Sequence, residues 1–409
     1  MRPHIFVINV FYAPFSYGGA TIVAEQVVKA LRGKGACDVT AISMCSRSDL
    51  VPYSLIRSEK DGVVNYLINL PAGRNYSEIY NNPRVAEIIG DLADQFRPDL
   101  VHLHCIQDIG AGCMTVLDDL GIPVVLSVHD FWWICERQFM IRPDQSYCGQ
   151  NPVNIETCRS CVPHHSAAKL RMNYLFRQAE TAAAVTYPSK FARELCEASG
   201  FAPNKGIVWE NGVRPPKDDF FTKQSARRAR DPRICFGFLG GPSQIKGWPL
   251  IRRTFSDLDR EDFRGLLVDG SIDEGWWGDE DLDRLRGDWQ VFPRFDQDNI
   301  DDFYAEIDVL LFMSQWKETF GLAIREAISR GIRVVQTDSG GTTEHPLADP
   351  DKLIPIGAGS DALKAQVEEV LHRGTADMQT ASVATYADQA AQFLDIISPI
   401  LAAQTSAKV

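Results

Sequence analysis

No apolar run in these 409 residues approaches the roughly 20 needed to cross a bilayer, so no helical span is expected and any membrane contact would be peripheral. Cysteine is sparse: ten residues, mostly isolated in apolar context, are too few for a disulfide scaffold and read as inert core positions. Low-complexity tracts and internal repeats are lacking, which excludes a disordered chain or a solenoid. Basic charge is not in surplus either. The net charge is −12, whereas a general nucleic-acid binder would more often be basic, so no nucleic-acid partner is expected. The N-terminal RPHIFVINVF runs into PFSYGG without a small-residue cleavage site and reads as a first strand, so the expected location is the cytoplasm, at most peripheral to the inner face of the membrane.

What is present is a globular composition, 45% apolar and 23% charged, in a chain too long for one core and suited to two domains of about 200 residues each. Charge divides unevenly between the halves: residues 1–200 hold 18 basic and 20 acidic side chains, the remainder 24 and 34.

The stretch that organises the chain is 316–344, WKETFGLAIREAISRGIRVVQTDSGGTTE. Residues 308–313 read as a buried parallel strand. Leu322, Ala323, Ala327 and Ile328 give a helical apolar stripe ended by Gly331, and 332–335 reads as the next strand. Strand, helix and strand in this order place both loops at the carboxyl end of a parallel sheet, where doubly wound folds hold ligands. The amides of Gly321 and Leu322 open the helix and suit an anion, and Gly340-Gly341 lets a second backbone come close. Glu318 and Glu326, eight positions apart, are poor phosphate ligands but good acceptors for sugar and ribose hydroxyls. An ordinary βαβ unit with two exposed glutamates is the plainer alternative.

Elsewhere the same arrangement recurs. A strand at 5–10, a loop and a helix entered by Gly18-Gly19 lack the GxGxxG of a dinucleotide site. Strands follow at 39–43, 63–67, 99–104 and 124–128, with a helix at 83–96. The last of these strands delivers His129 and Asp130 to the top of the sheet, followed by Phe131 and then Trp132 and Trp133, an aromatic pair able to floor a sugar ring. A histidine there is either functional or a satisfied structural residue. The loop 135–161 carries Cys135, Cys148, Cys158 and Cys161. Cys158-x-x-Cys161 is the close pair of a tetrahedral metal site, and a long polar loop with little apolar surface would gain order from thiolate ligation, so structural zinc is expected. Reduced thiols without metal, an iron-sulfur cluster and a disulfide pair are the alternatives. A helix at 170–184 has Lys169, Arg171 and Arg177 on a basic side; a packing helix with a solvated basic side is the preferred reading, and contact with anionic head groups the alternative. Residues 214–231 are charged, Pro-bearing and without apolar period, as a surface linker would be. A strand at 234–239 then precedes Gly240-Gly241-Pro242-Ser243-Gln244-Ile245-Lys246-Gly247, where backbone amides and one lysine ahead of a helix make a phosphate cradle. Strands at 264–268 and 290–292 and helices at 300–307, 363–371 and 386–397 complete the pattern, the last limited by Pro399.

Glu-x-Phe-Gly at 318–321, Glu-Ala at 326–327 and Gly-Gly-x-x-Glu at 340–344 together resemble the retaining, nucleotide-sugar-dependent glycosyltransferases of family 4. Tyr17-Gly18-Gly19-Ala20, the Pro-Asp-x-x-His-x-His of 98–104, His129, Asn211-Gly212-Val213, Lys246-Gly247 and Pro293-Arg294-Phe295 extend the resemblance over almost the whole chain. It implies an α/β chain of the GT-B fold, two Rossmann-like doubly wound domains facing across a cleft. The acceptor-side domain would be 1–213, the linker 214–231, the nucleotide-sugar domain 232–385 and a helix crossing back 386–409. Donor contacts are implied for Gly18, Gly19, Lys246, Phe295, Glu318, Phe320, Gly321, Leu322 and Glu326, and catalytic roles for His129, Asp130, Lys246 and Glu318. The implied partners are a nucleoside-diphosphate sugar and a glycan, glycolipid or small-molecule acceptor, with no catalytic metal, in bacterial polysaccharide, glycolipid or glycoconjugate synthesis. One position departs from the pattern. Gly241 stands where the family carries arginine, which keeps a non-transferring relative, an epimerase or a silent partner, as the alternative.

Overall fold

The structure, a computed structural model, describes residues 2–271, 275–376 and 378–407, with side chains through 404; residues 408 and 409 of the expected terminal segment lie outside them. It divides into two units, one from Met1–Met140, Gly149–Gly212 and Ala384–Val409, the other from Ile141–Cys148 and Val213–Val383. Among the described residues no helix is long and apolar enough to cross a membrane.

In the first unit, strands β1 (His4–Ile8), β2 (Asp38–Cys45), β3 (Leu55–Lys60), β4 (Val63–Asn69), β5 (Leu100–Leu103), β6 (Val124–Ser127), β7 (Ala184–Tyr187) and β8 (Gly206–Val208) stand in the order β3-β4-β2-β1-β5-β6-β7-β8. All pairs are parallel except β3 with β4. Parallel strands are covered on both faces, and residues 5–8 and 100–103 are accordingly buried throughout. The cover includes α1 (Gly19–Gly33), α2 (Pro83–Phe96), α3 (Gly112–Asp119), α4 (His165–Ala179) and α5 (Lys190–Ala198). Because β1, β5 and β6 are neighbours running one way, the loops that leave them emerge side by side. Val10 N donates to Cys105 O at 2.8 Å and Cys105 N to Asn9 Oδ1 at 3.0 Å, lacing the first two together.

The second unit runs α6 (Phe220–Arg230), β9 (Cys235–Phe238), α7 (Trp248–Ser256), β10 (Arg264–Val268), β11 (Asp288–Phe292), α8 (Ile300–Glu306), β12 (Val309–Phe312), α9 (Leu322–Ser329), β13 (Arg333–Gln336) and α10 (Ser360–Arg373), with a parallel sheet ordered β11-β10-β9-β12-β13. Strand alternation sorts its core into two layers. Phe236, Phe238, Leu267, Val309, Leu311 and Val335 join Ile251, Phe255, Leu363 and Val367 of α7 and α10. Cys235, Leu266, Val268 and Leu310 join Phe303, Tyr304, Ile324 and Ile328 of α8 and α9.

The chain then returns to the first unit as α11 (Tyr386–Ala407). Phe393 stacks on His102 with ring centroids 4.4 Å apart. The buried Gln389 side chain accepts from Gly212 N at 2.8 Å and donates to Asn211 Oδ1 at 3.2 Å, and its carbonyl accepts from Trp209 Nε1 at 3.0 Å.

Three sequence readings give way here. The stretch 214–231 contains α6, whose buried positions Phe220, Gln224 and Arg227 follow helical spacing. Two of the three are polar, so an apolar pattern does not reveal them. Arg227 Nη2 meets buried Asp308 Oδ1 at 2.7 Å, and Asp308 Oδ2 accepts from Cys235 N at 3.0 Å, which fixes α6 to the sheet. Helix α4 begins and ends five residues before the expected span, and Arg171 is buried rather than on a basic side: its Nη2 donates to Trp132 O at 2.6 Å. Helix α11 continues through Pro399, which removes one backbone bond without ending the helix.

Candidate active site

In the second unit three consecutive sheet loops, after β9, β12 and β13, converge. The loop after β9 lies against the end of β12 because Gly247 has φ +82° and no Cβ; one built there would stand 2.1 Å from Met313 O. Gln315 N donates to Ile245 O at 2.7 Å, so the two loops share a backbone bond. Lys246 Nζ thereby reaches Glu318 Oε1 at 2.8 Å and sits 5.7 Å over the Trp316 ring. Ser314 Oγ donates to the same carboxylate oxygen. The third loop is tied in by Glu318 N to Ser339 O at 2.8 Å and Gly341 N to Glu318 O at 2.9 Å.

Gly321, at φ +86°, is the cap position of α9 and carries no side-chain capping bond, so the first-turn amides of Leu322 and its neighbours are not capped by a side chain. The Phe320 ring is buried, 4.0 Å beneath the Arg325 guanidinium. Arg325 was not legible as a site residue. It is buried and donates to Phe320 O (2.6 Å), Thr342 O (2.9 Å), Gly341 O (3.0 Å) and Glu344 O (2.7 Å), stapling the 340–344 turn to the start of α9. Its one signal is its place next to Glu326.

Glu326 is only 5% exposed. Gln297 Nε2 donates to Oε1 at 3.1 Å and Tyr304 OH to Oε2 at 3.2 Å. Burial pushes its carboxyl above the usual range, and Gln297, Arg330 and Tyr304 oppose that rise. Phe295 stacks on Phe303 at 5.3 Å, one member of an aromatic group with Phe292.

In the first unit, Gly18 (φ +82°) precedes α1, which Gly19 begins, again without a side-chain cap. His129 follows the strand β6, as expected, and its Nε2 shares a 2.8 Å hydrogen bond with Nδ1 of buried His104, a partner the sequence reading passed over. Burial lowers His129 to about 4 and holds His104 well below the ordinary imidazole value, with His102 and His129 adding to the latter. Asp130 accepts from Trp132 N at 2.8 Å, Gln138 Nε2 at 2.6 Å and Gln107 Nε2 at 3.2 Å. Burial raises its carboxyl and these donors pull it down. Trp132 and Trp133 do not floor a sugar: they are 4% and 3% exposed, set edge to face at 5.2 Å within the core.

The zinc expectation finds no support. Among the described residues no group of three or more His, Cys, Asp or Glu side chains could hold a metal ion, and no disulfide joins Cys135, Cys148, Cys158 or Cys161. The premise that this loop lacks its own means of order also fails. Met140, Ile141 and Val153 within it are buried, Asn154 accepts from Glu156 N at 3.0 Å, and His165 Nε2 bonds Ile155 O at 2.8 Å.

Comparison with known proteins decides what these two sheets are. The sequence model of Glycosyltransferase Family 4 matches residues 17–216, and that of Glycosyl transferases group 1 matches residues 278–385. Both halves carry glycosyltransferase sequence. Solved structures agree on a GT-B glycosyltransferase fold of two Rossmann-like domains. A sucrose-phosphate synthase from Thermosynechococcus elongatus has a TM-score of 0.68 at 16% identity, covering 98% of this chain and 100% of that one. A glycosyltransferase from Rickettsia africae has 0.65 at 16%, covering 98% and 99%, and Anabaena HepE, solved in complex with UDP and glucose, has 0.63 at 15%, covering 97% and 100%. An uncharacterized 42.6 kDa protein in the cps region of Klebsiella pneumoniae is 21% identical over 363 residues, 83% of this glycosyltransferase chain and 87% of that protein.

Proposed function

We propose that this glycosyltransferase moves a sugar from a nucleoside-diphosphate donor to an acceptor hydroxyl with retention of configuration, in bacterial polysaccharide, glycolipid or glycoconjugate synthesis. The observation that carries the reading is the 2.8 Å pairing of Lys246 with Glu318 at two adjacent sheet loops, beside the uncapped start of α9. Lys246 and the α9 amides offset the charge that develops on the leaving diphosphate; no step is assigned to a divalent cation. Glu318, already turned toward Lys246, orients donor hydroxyls, and Glu326 takes the ribose. No nucleophilic role is assigned to Glu318 or Glu326 in this reading, and the leaving phosphate accepts the acceptor's proton. His129, neutral at physiological pH, and Asp130 position the acceptor hydroxyl. Support from relatives comes from HepE, solved with UDP-glucose, and from the cps-region protein.

The test is a thermal-shift series with UDP, GDP, ADP and dTDP sugars. One nucleotide class should stabilise the protein, by about 2.7 kcal/mol at a hundredfold its dissociation constant. No stabilisation by any of them ends the proposal, and interconversion of the sugar without an acceptor identifies an epimerase instead.

A further inference from the structure

Strand β13 is the last of its sheet, and Ile354 bridges to Thr337 just beyond its end. Beside residues 333–336 lies a cavity of about 370 Å³, within the size range of small-molecule sites. Ile328, Ile332, Val334, Leu347 and Leu353 give it an aliphatic lining, and Lys246, Glu318 and Glu326 of the candidate active site are not among its lining residues. Two polar groups in its wall are unmatched. Gln336, 5% exposed, shares a 2.7 Å hydrogen bond between its Nε2 and His345 Nε2, and among the described residues the buried atoms Gln336 Oε1 and His345 Nδ1 have no partner. Burial lowers His345 to about 4, with Arg325 adding to it, so the imidazole is neutral at physiological pH. Either setting of the amide then leaves a hydrogen-bond donor and an acceptor in the cavity wall, Nδ1–H with Oε1 or Nδ1 with the amide N–H. Buried groups of this kind cost free energy unless an occupant meets them.

Charge narrows what the occupant is. Lys352 Nζ (2.8 Å), Arg373 Nε (3.1 Å) and Arg333 Nη2 (3.6 Å) all reach Glu369 Oε1, and all three cations line the cavity. Asp349, the carboxylate that also lines it, accepts from Asp351 N at 3.1 Å. Three positive charges thus stand against two negative ones, a balance that favours an anion. Arg333 begins β13 and Gln336 ends it, roughly 10 Å apart along the strand. One ligand spans both if it carries a phosphate at one end and a neutral donor–acceptor edge at the other. A flat heterocycle presents such an edge while laying its apolar face on aliphatic side chains, whereas a sugar ring would turn hydroxyls against them.

We infer that the edge of β13 holds a second small-molecule site, which takes a nucleoside monophosphate with its phosphate at Arg333, Lys352 and Arg373 and the edge of its base at Gln336 and His345. The site stands apart from the donor chemistry proposed above and does not depend on it. Isothermal titration of the full chain with AMP, GMP, CMP and UMP, and with glucose 6-phosphate and inorganic phosphate, tests it. At least one nucleotide shows a binding event that Lys246→Ala leaves unchanged and that Lys352→Ala and Gln336→Met each weaken about tenfold. The Lys352 side chain is 41% exposed, so its truncation reads the site even where Gln336→Met disturbs folding. Binding of no nucleotide, loss of all nucleotide binding in Lys246→Ala, or equal binding by Lys352→Ala overturns the inference. So does glucose 6-phosphate or inorganic phosphate bound as tightly as the best nucleotide.

Discussion

Trp276 lies across Gly241: a Cβ built on the glycine would stand 2.7 Å from the indole, and the residue has φ +64°. The position where the resemblance leads one to expect arginine therefore has neither the backbone conformation nor the space for a side chain.

Gly241→Arg should lower stability by about 1–2 kcal/mol from the left-handed backbone alone, more once the indole is displaced. Denaturant titration measures the loss, and Gly241→Arg with Trp276→Ala should recover the part due to the ring. Neither should raise nucleotide-sugar affinity. A stable Gly241→Arg protein with tighter donor binding would show that the missing cation had simply been restored.

Lys246→Ala removes the side chain that meets Glu318 without disturbing the core. Transfer should fall at least tenfold, about 1.4 kcal/mol of transition-state stabilisation, with melting unchanged. For Glu326 the conservative change is required, because truncation would strand Gln297 and Tyr304. Glu326→Gln should lower transfer by a similar factor, and near-normal turnover in either variant removes that residue from the site.

The fold was legible where chemistry and periodicity coincide. The glycine turns at 18 and 247, the strand feeding His129 and the 318–326 pair stand where the pattern puts them. Arg325 and His104 were not legible because their importance lies in partners brought from elsewhere: four carbonyls in one case, an imidazole 25 positions away in the other. The same cause hid α6, whose packing face is an arginine against an aspartate 81 positions on. The cysteine loop misled in the opposite sense. Its spacing suggested a metal, while its order comes from apolar residues scattered too irregularly to count as a pattern.

Stability should depend on pH through the buried imidazoles. An unfolded histidine protonates near pH 6.5, whereas burial holds folded His129 at about 4 and His102 at about 3. Between pH 6.5 and 4 the unfolded chain thus binds more protons than the folded one, and stability falls as pH falls, with a slope approaching about 1.4 kcal/mol per pH unit for each imidazole. Above about pH 7 these groups add nothing further. Urea midpoints measured from pH 7.5 to 5 check this, and a flat profile contradicts the burial.

Gln389→Ala should destabilise the first unit by about 2–4 kcal/mol, since it deprives Gly212 N and Asn211 of their buried partner. Calorimetry of the variant reads the loss directly. A change below half a kcal/mol, roughly the scatter of surface substitutions, would mean that water replaces the amide without penalty.

The position of α11 governs how the protein is made. On a ribosome, β1 to β8 emerge first, yet the ring that closes over His102 and Trp209 arrives only after the whole second sheet has been synthesised. Until α11 follows, His102 and Trp209 of the nascent first half lack the ring that packs against them.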